Sequence, residues 1–120
     1  MAEMIIQRGQ IYYVDFEKAT GASLKKVRPA LIVQNDAGNR HSPYTIIIGI
    51  MHDSHKHLPI RVRVPKGIAG LAKDSEADCG HIETIKKENL LRFCGTLPNH
   101  YLAQIDRALA ISLGLHLRNS

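Results

Sequence analysis

Short apolar runs separated by turn-forming residues make up the first two-thirds of the 120-residue chain. Four of these runs have the composition of β-strands: residues 11–16, 30–33, 44–50 and 60–64. Apolar and basic side chains alternate along the last run, so Arg61 and Arg63 are expected on one face of a half-buried strand. No run approaches the roughly 18 apolar residues that a membrane-spanning helix needs. We therefore expect a small antiparallel sheet.

The connecting segments and the C-terminal third complete the fold prediction. Residues 17–26 are polar and predict an exposed loop, while residues 35–39 have turn chemistry. Residues 84–91 are predicted to form a short helix with a threonine cap. After Pro98, apolar residues recur every three to four positions, which predicts an amphipathic helix packed on the sheet. The prediction is a β-rich α+β fold in one domain, residues 1–120, with a strongly curved antiparallel sheet or barrel closed by the terminal helix.

Basic residues are concentrated in the first half of the chain. The formal net charge is +5, and residues 1–66 contribute all of it with ten Lys and Arg against five Asp and Glu. Such a surface favours a polyanion partner, since neutralising phosphates releases counterions. The N-terminus lacks the basic-then-apolar order of a signal peptide, and the two cysteines match no metal or redox motif. We expect a cytoplasmic protein with two partly buried thiols.

Four segments of the chain, in this order, carry recognisable motifs: residues 8–16, residues 21–36, residues 39–43 leading into the strand 44–50, and residues 74–85 followed by the helix 106–113. The second is the most specific, because it contains an Arg28-Pro29 step, an apolar run and a Gln34-Asn35-Asp36 ending. Together the segments resemble the MazF/PemK family of toxin endoribonucleases, the toxin halves of bacterial type II toxin–antitoxin pairs. The resemblance implies an SH3-like barrel with a short helix and a C-terminal helix, usually a homodimer. It also implies cutting of single-stranded RNA at short sequences without a metal or other cofactor, and a small acidic antitoxin as protein partner.

The implied chemistry needs a charged donor at the scissile phosphate. RNA carries a 2′-hydroxyl beside each phosphate, and a base that removes its proton creates an internal nucleophile. Negative charge then accumulates on the phosphoryl oxygens, and a planar guanidinium with several donors is suited to stabilise it. Arg28 matches the family's catalytic arginine and is the first candidate for this role. Lys25 and Lys26 lie in the loop that leads to it and are predicted to contact phosphates.

The chain departs from the family's pattern in two places. The family usually has a polar residue, often threonine, where this chain has Met51, and a thioether is a poor substitute for a hydroxyl. Further along, Gly80, His81 and Glu83 stand where the family often has an acidic residue, a glutamine and a basic residue. In one interpretation, neighbouring imidazoles replace the altered active-site residues, and His52 and His81 are then the candidate catalytic proton-transfer groups. In the other, the site is degenerate and the chain binds RNA or another partner without cutting.

The other RNA-binding candidates are Arg8, Gln34 and Arg61, from the resembling segments and the basic half of the chain. Residues 52–57 contain three histidines and an aspartate, which is enough for a metal site. A polar connection between strands accounts for them better, and no metal site is predicted. An exposed strand face is expected for the acidic run Asp74, Glu76 and Asp78.

Two other functions stay open at this point. Related CcdB toxins share this kind of barrel but poison DNA gyrase by protein contact, and the departures at Met51 and Glu83 favour such a non-catalytic binder. The segment 21–36 and the basic N-terminal half oppose it. A toxin that has lost activity and persists as an antitoxin decoy or dimerisation partner is the third possibility. The leading hypothesis is a sequence-selective, metal-independent endoribonuclease toxin.

Overall fold

Six antiparallel strands form one continuous sheet in the computed structural model, which describes residues 5–21 and 27–116. In chain order the strands are β1 (Gln10–Asp15), β2 (Val27–Ile32), β3 (Tyr44–His52), β4 (Arg61–Val64), β5 (Ser75–Lys86) and β6 (Leu90–Thr96). Their order across the sheet is β4-β5-β3-β2-β1-β6, and each neighbouring pair is antiparallel. The four predicted strands are confirmed, although their ends differ by a few residues.

The described residues also contain three α-helices, which are α1 (Phe16–Thr20), α2 (Asp36–His41) and α3 (Asn99–Leu113). The first two replace parts of the predicted loop and turn because a side chain caps each start. The Asp15 carboxylate accepts a hydrogen bond from the Lys18 backbone N–H at 3.2 Å, and Asn35 Oδ1 accepts one from the Gly38 N–H at 2.8 Å. The third begins directly after Pro98, as predicted. No helix in the described part of the chain is long and apolar enough to cross a membrane.

The predicted helix at residues 84–91 is wrong. β5 continues through the first part of this segment to Lys86, and Ile85 pairs with Thr45 of β3. The Ile85 side chain is buried against the sheet, and the pairing that buries it requires extended backbone. A single 3-10 turn at Lys87–Asn89 then reverses the chain into β6.

Alternating side chains of the sheet build two apolar cores, one on each face. Leu31 points into the core that α3 covers, where Ile105 and Ala108 of the helix are also buried. Ile32, its neighbour in β2, points into the opposite core together with Phe16. Each fully buried side chain of this size contributes about 1.5–3 kcal/mol to folding. The apolar stripe predicted for the C-terminal helix is therefore core packing along most of its length, while Leu113 at its end is exposed.

The two edges of the sheet meet through a 3-10 turn, Ile68–Gly70, that follows β4. This turn packs against β6, the strand at the opposite edge. The approach is so close that a Cβ atom at Gly70 or Gly95 would overlap the backbone of the other segment. Joining the edges gives the sheet its barrel-like curvature and places residues 71–75 beside the ends of β2 and β3.

Candidate active site

A groove of about 300 Å³ opens where the start of β2, the end of β3 and residues 71–75 meet. Its polar and charged lining consists of Tyr13, Arg28, His52, Lys73 and Ser75. Met51 and apolar side chains form the rest of the wall. Because no acidic side chain of the described residues lines the groove, its two permanent cations give it a positive potential.

Arg28 lines this groove, and no side chain of the described residues competes for its guanidinium. The register between β2 and β3 pairs Ala30 with Gly49, and its continuation puts Arg28 opposite Met51. Pro29 restricts the preceding residue to extended backbone, which keeps Arg28 in the strand. Within residues 5–21 and 27–116, the Arg28 guanidinium makes no hydrogen bond or ion pair. Its donors are therefore available to a bound anion.

His52 and Lys73 are the other basic side chains of the groove. His52 ends β3 and pairs with Ser75 at the start of β5. The buried Ser75 hydroxyl donates a 2.9 Å hydrogen bond to the Lys73 carbonyl and so fixes the turn that carries the lysine. Sequence reasoning missed Lys73, although it is the only Lys or Arg between residues 67 and 85. A single basic residue at the head of an acidic segment was the available signal.

His81 lies on the same face of the sheet as Met51 but does not line the groove. The pairing between β3 and β5 slips after Ile48, so residues 79–81 bulge out of register. The imidazole then covers Gly49, where an added Cβ would lie 2.5 Å from His81 Nδ1. Gly49 and Met51 are about 7 Å apart along the strand. His52 therefore belongs to the groove lining that contains Arg28, and His81 does not.

Arg8 joins three parts of the fold. Its backbone N–H donates to Asp36 Oδ1 at 2.7 Å, and its Nε donates to the Val33 carbonyl at 2.9 Å. One terminal nitrogen forms an ion pair with Asp106 Oδ1 of α3 at 2.6 Å. Arg8 does not line the groove, and its predicted contact with RNA stays a prediction.

Gln34 also takes part in a structural network. Its amide nitrogen donates to the Tyr44 carbonyl at 2.9 Å and to Asn39 Oδ1 at 3.1 Å. The same Asn39 oxygen accepts a 2.7 Å hydrogen bond from the buried Thr45 hydroxyl, so the network links α2 to the start of β3. The RNA contact predicted for Gln34 stays a prediction. Lys25 and Lys26 lie outside the described residues.

Arg61 and Glu76 form a pair on the face of the sheet away from the α3 core. Arg61 lies on the same face as Arg63, as predicted, but its Nη1 is 3.2 Å from Glu76 Oε1 and 3.4 Å from Ser54 Oγ. The Glu76 side chain is only 3% exposed, so the prediction of an exposed acidic face is wrong at this residue. Burying a carboxylate without a cation is costly, which explains why the Arg61 guanidinium is held against it. Its predicted RNA contact stays untested.

Residues 53–60 form the polar connection between β3 and β4 that the sequence predicts. Asp53 Oδ2 lies 3.1 Å from Arg63 Nε, and Asp53 Oδ1 accepts a 2.9 Å hydrogen bond from the His55 backbone N–H. The hydrogen bond from His55 and, to a smaller extent, the nearby charges lower the pKa of Asp53 below its ordinary value of 3.8. Across the described ranges, no three His, Cys, Asp or Glu side chains cluster as a metal site would require.

A curved antiparallel sheet with a cationic groove at its mouth defines a small protein suited to bind an anionic chain. A profile described as "PemK-like, MazF-like toxin of type II toxin-antitoxin system" matches residues 7–113. The chain is also 36% identical over 113 residues to Endoribonuclease EndoA of Bacillus subtilis, covering 93% of this chain and 97% of that protein. The chain belongs to the PemK-like, MazF-like toxin family, which confirms the resemblance found in the sequence.

Solved structures agree with this fold. An endoribonuclease from a mycobacterial species, in complex with its cognate antitoxin, is 26% identical with a TM-score of 0.79 and covers 94% of this chain and 99% of that chain. The Mycobacterium tuberculosis toxin MazF-mt6 is 22% identical with a TM-score of 0.76, covering 90% and 99%. A MazE–MazF structure from Deinococcus radiodurans is 17% identical, also with a TM-score of 0.76, covering 95% and 100%. The predicted fold class is confirmed.

Proposed function

We propose that the groove at Arg28 is the active site through which this endoribonuclease toxin cleaves single-stranded RNA. One observation carries the proposal: Arg28 and Lys73 line the same groove, and no described acidic side chain faces them there. Arg8 and Arg61, by contrast, are held in ion pairs with Asp106 and Glu76. Cations that have no ion-pair partner among the described residues, gathered in a groove, suit the phosphates of a nucleic acid.

In the proposed mechanism the RNA supplies its own nucleophile. A 2′-hydroxyl attacks the adjacent phosphorus, and the 5′-oxygen of the next nucleotide leaves, which gives a 2′,3′-cyclic phosphate and a 5′-hydroxyl. Arg28 donates hydrogen bonds to the phosphoryl oxygens as their charge grows, and Lys73 neutralises a neighbouring phosphate. His52 transfers one of the two protons, either from the 2′-hydroxyl or to the leaving oxygen, and water exchanges the other. None of these steps calls for a metal, because the guanidinium supplies the positive charge.

The same surface accounts for the proposed partners. A small acidic antitoxin would compete with RNA for the cations of the groove. Two of the similar structures are described as complexes of this kind, an endoribonuclease with its cognate antitoxin and MazE–MazF. Exposed apolar side chains on β6 and near the end of α3 offer surface for a second copy of the chain, and they include Leu91, Phe93, Ile111 and Leu113. We place this RNA-cleaving toxin in the cytoplasm, where its substrate is found.

The test is cleavage of a long single-stranded RNA in EDTA by the wild type and by Arg28→Ala. Loss of a preorganised donor to the transition state lowers rates by about 100- to 1,000-fold, and that loss is expected for Arg28→Ala. Arg40→Ala is the matched control, because Arg40 is an exposed arginine on α2 near the opposite end of β3 from His52. Its cleavage rate should stay within about twofold of the wild type.

The possible outcomes distinguish an endoribonuclease that uses Arg28 from a non-catalytic binder. Recurrent cuts that Arg28→Ala abolishes and Arg40→Ala keeps support the proposed active site. Cuts that survive in Arg28→Ala would place the chemistry elsewhere. A folded wild-type protein that never cuts would instead favour the non-catalytic binder, which the family match and the EndoA relative do not support.

A further inference from the structure

Tyr13 is the neutral hydrogen-bond donor that the groove can offer to a bound phosphate. The described groove lining contains two hydroxyl groups, those of Tyr13 and Ser75. The proton of Ser75 is already donated to the Lys73 carbonyl at 2.9 Å. Met51, opposite Arg28, has a thioether with no proton to give. Among the neutral donors of the described groove lining, the phenol is therefore the one whose proton is not committed to a strong acceptor.

The Tyr13 ring is held in place by two side chains of β6. The Arg92 guanidinium carbon lies 4.0 Å from the ring centroid, and Cys94 Sγ lies 3.7 Å from the phenol oxygen. Both residues stand where the pairing of β1 with β6 is irregular, because the register slips on each side of Tyr12. Such bulges redirect side chains and are frequent beside active sites. The irregular pairing thus aims two contacts at one aromatic ring that faces the groove.

The acceptor within reach of the phenol proton is a weak one. Cys94 has a single thiol proton, and its sulfur lies near two oxygens, at 3.4 Å from the Ala69 carbonyl and at 3.7 Å from Tyr13 Oη. Whether the thiol proton points to the Ala69 carbonyl or to the phenol oxygen, the phenol proton has no better acceptor than sulfur among the described residues. A phosphoryl oxygen is a far stronger acceptor, so the proton is expected to turn toward a bound phosphate.

We propose that Tyr13 is a further catalytic residue, whose phenol donates a hydrogen bond to a nonbridging oxygen of the scissile phosphate. The proposal rests on the proposed function of the groove. No proton is transferred: the phenol stabilises charge on the oxygen beside the guanidinium of Arg28. The Cys94 contact and burial raise the pKa of Tyr13, although Arg92 lowers it, so the phenol keeps its proton at neutral pH.

The test compares Tyr13→Phe with the wild type in single-turnover cleavage of a short RNA that contains one mapped cut site. This change removes the hydroxyl and leaves the ring for Arg92. The expected result is a rate about 10- to 100-fold lower, with RNA affinity and thermal midpoint close to those of the wild type. Tyr44→Phe is the matched control, because Tyr44 is an exposed tyrosine at the far end of β3. It should cut at the wild-type rate.

A sulfur substitution at the phosphate separates a direct contact from a general effect on the groove. Replacing one nonbridging oxygen with sulfur weakens its hydrogen bonds. If Tyr13 donates to that oxygen, one phosphorothioate diastereomer should slow the wild type strongly and Tyr13→Phe much less. Equal sensitivity in both proteins, or wild-type cleavage by Tyr13→Phe, would overturn the role of Tyr13 while leaving the proposed function intact. An inactive wild type, or an active Arg28→Ala, would overturn the proposed function and the role of Tyr13 with it.

Discussion

Replacing Arg61 with alanine should destabilise the fold more than it weakens RNA binding. The Arg61 guanidinium lies 3.2 Å from a Glu76 carboxylate that is 3% exposed, and truncation would leave this charge buried. Removing one partner of a buried ion pair costs about 3–5 kcal/mol. We expect a loss of about 3 kcal/mol, the lower end of this range, because Ser54 Oγ still donates a 2.8 Å hydrogen bond to Glu76. An unfolding entropy of about 2.1 cal/mol/K per residue then gives a thermal midpoint lower by about 12 °C.

The assay is thermal unfolding of the wild type, Arg61→Ala, Glu76→Gln and the double variant Arg61→Met with Glu76→Gln. The double variant should be more stable than Arg61→Ala, because it leaves no unpaired buried charge. Well below its midpoint, Arg61→Ala should cut RNA with a KM within about twofold of the wild type. An unchanged midpoint together with a raised KM would refute this reasoning and would support the RNA contact predicted for Arg61.

Three further predictions concern the loop, the thiols and the closed edge of the sheet. Asp53→Asn should lower the thermal midpoint at neutral pH, and the difference should shrink as the pH falls through the lowered pKa of the Asp53 carboxyl, since a carboxylate whose pKa is lowered by folding stabilises only while ionised. Burial raises the pKa of Cys79 to about 12, so iodoacetamide at about pH 8 should label only Cys94 in the native protein, as mass spectrometry can read. Gly95→Ala should destabilise the fold by about 1–3 kcal/mol in denaturant titration, because its Cβ meets the Ala69 backbone. A denaturant midpoint for Gly95→Ala equal to that of the wild type would contradict the close approach of Gly95 to the Ala69 backbone.

The strands were predictable because the pattern of apolar residues within each one shows which side chains are buried. Val62 and Val64 alternate with Arg61 and Arg63, and that period alone places the valines in the core. The segment after Thr84 was misjudged because its threonine suits a helix cap as well as a strand. What decides between them is pairing with β3, about 40 residues earlier in the chain. Local propensity holds no information about that contact.

A sequence shows which residues are charged, but it does not show which ion-pair partner each charged side chain has in the fold. Arg8, Arg28 and Arg61 were all candidates for RNA, and only the fold shows that Arg8 is paired 98 residues away with Asp106. Arg28 was found through its flanking motif, which is local. Lys73 was missed because its place beside Arg28 depends on how the sheet curls. The sequence therefore predicts which residue types are available, while the long-range pairing selects among them.

The groove depends on the contact that joins the two edges of the sheet, and this couples the site to completion of the fold. Lys73 reaches the start of β2 only because the turn at Ile68–Gly70 sits against β6, the strand at the opposite edge. Gly70 and Gly95 permit that approach, and each would obstruct it if it carried a side chain. Opening this contact would separate the two cations of the groove, Arg28 and Lys73, while the core around Leu31 stays buried. The chain is therefore expected to lose the groove before it loses its core.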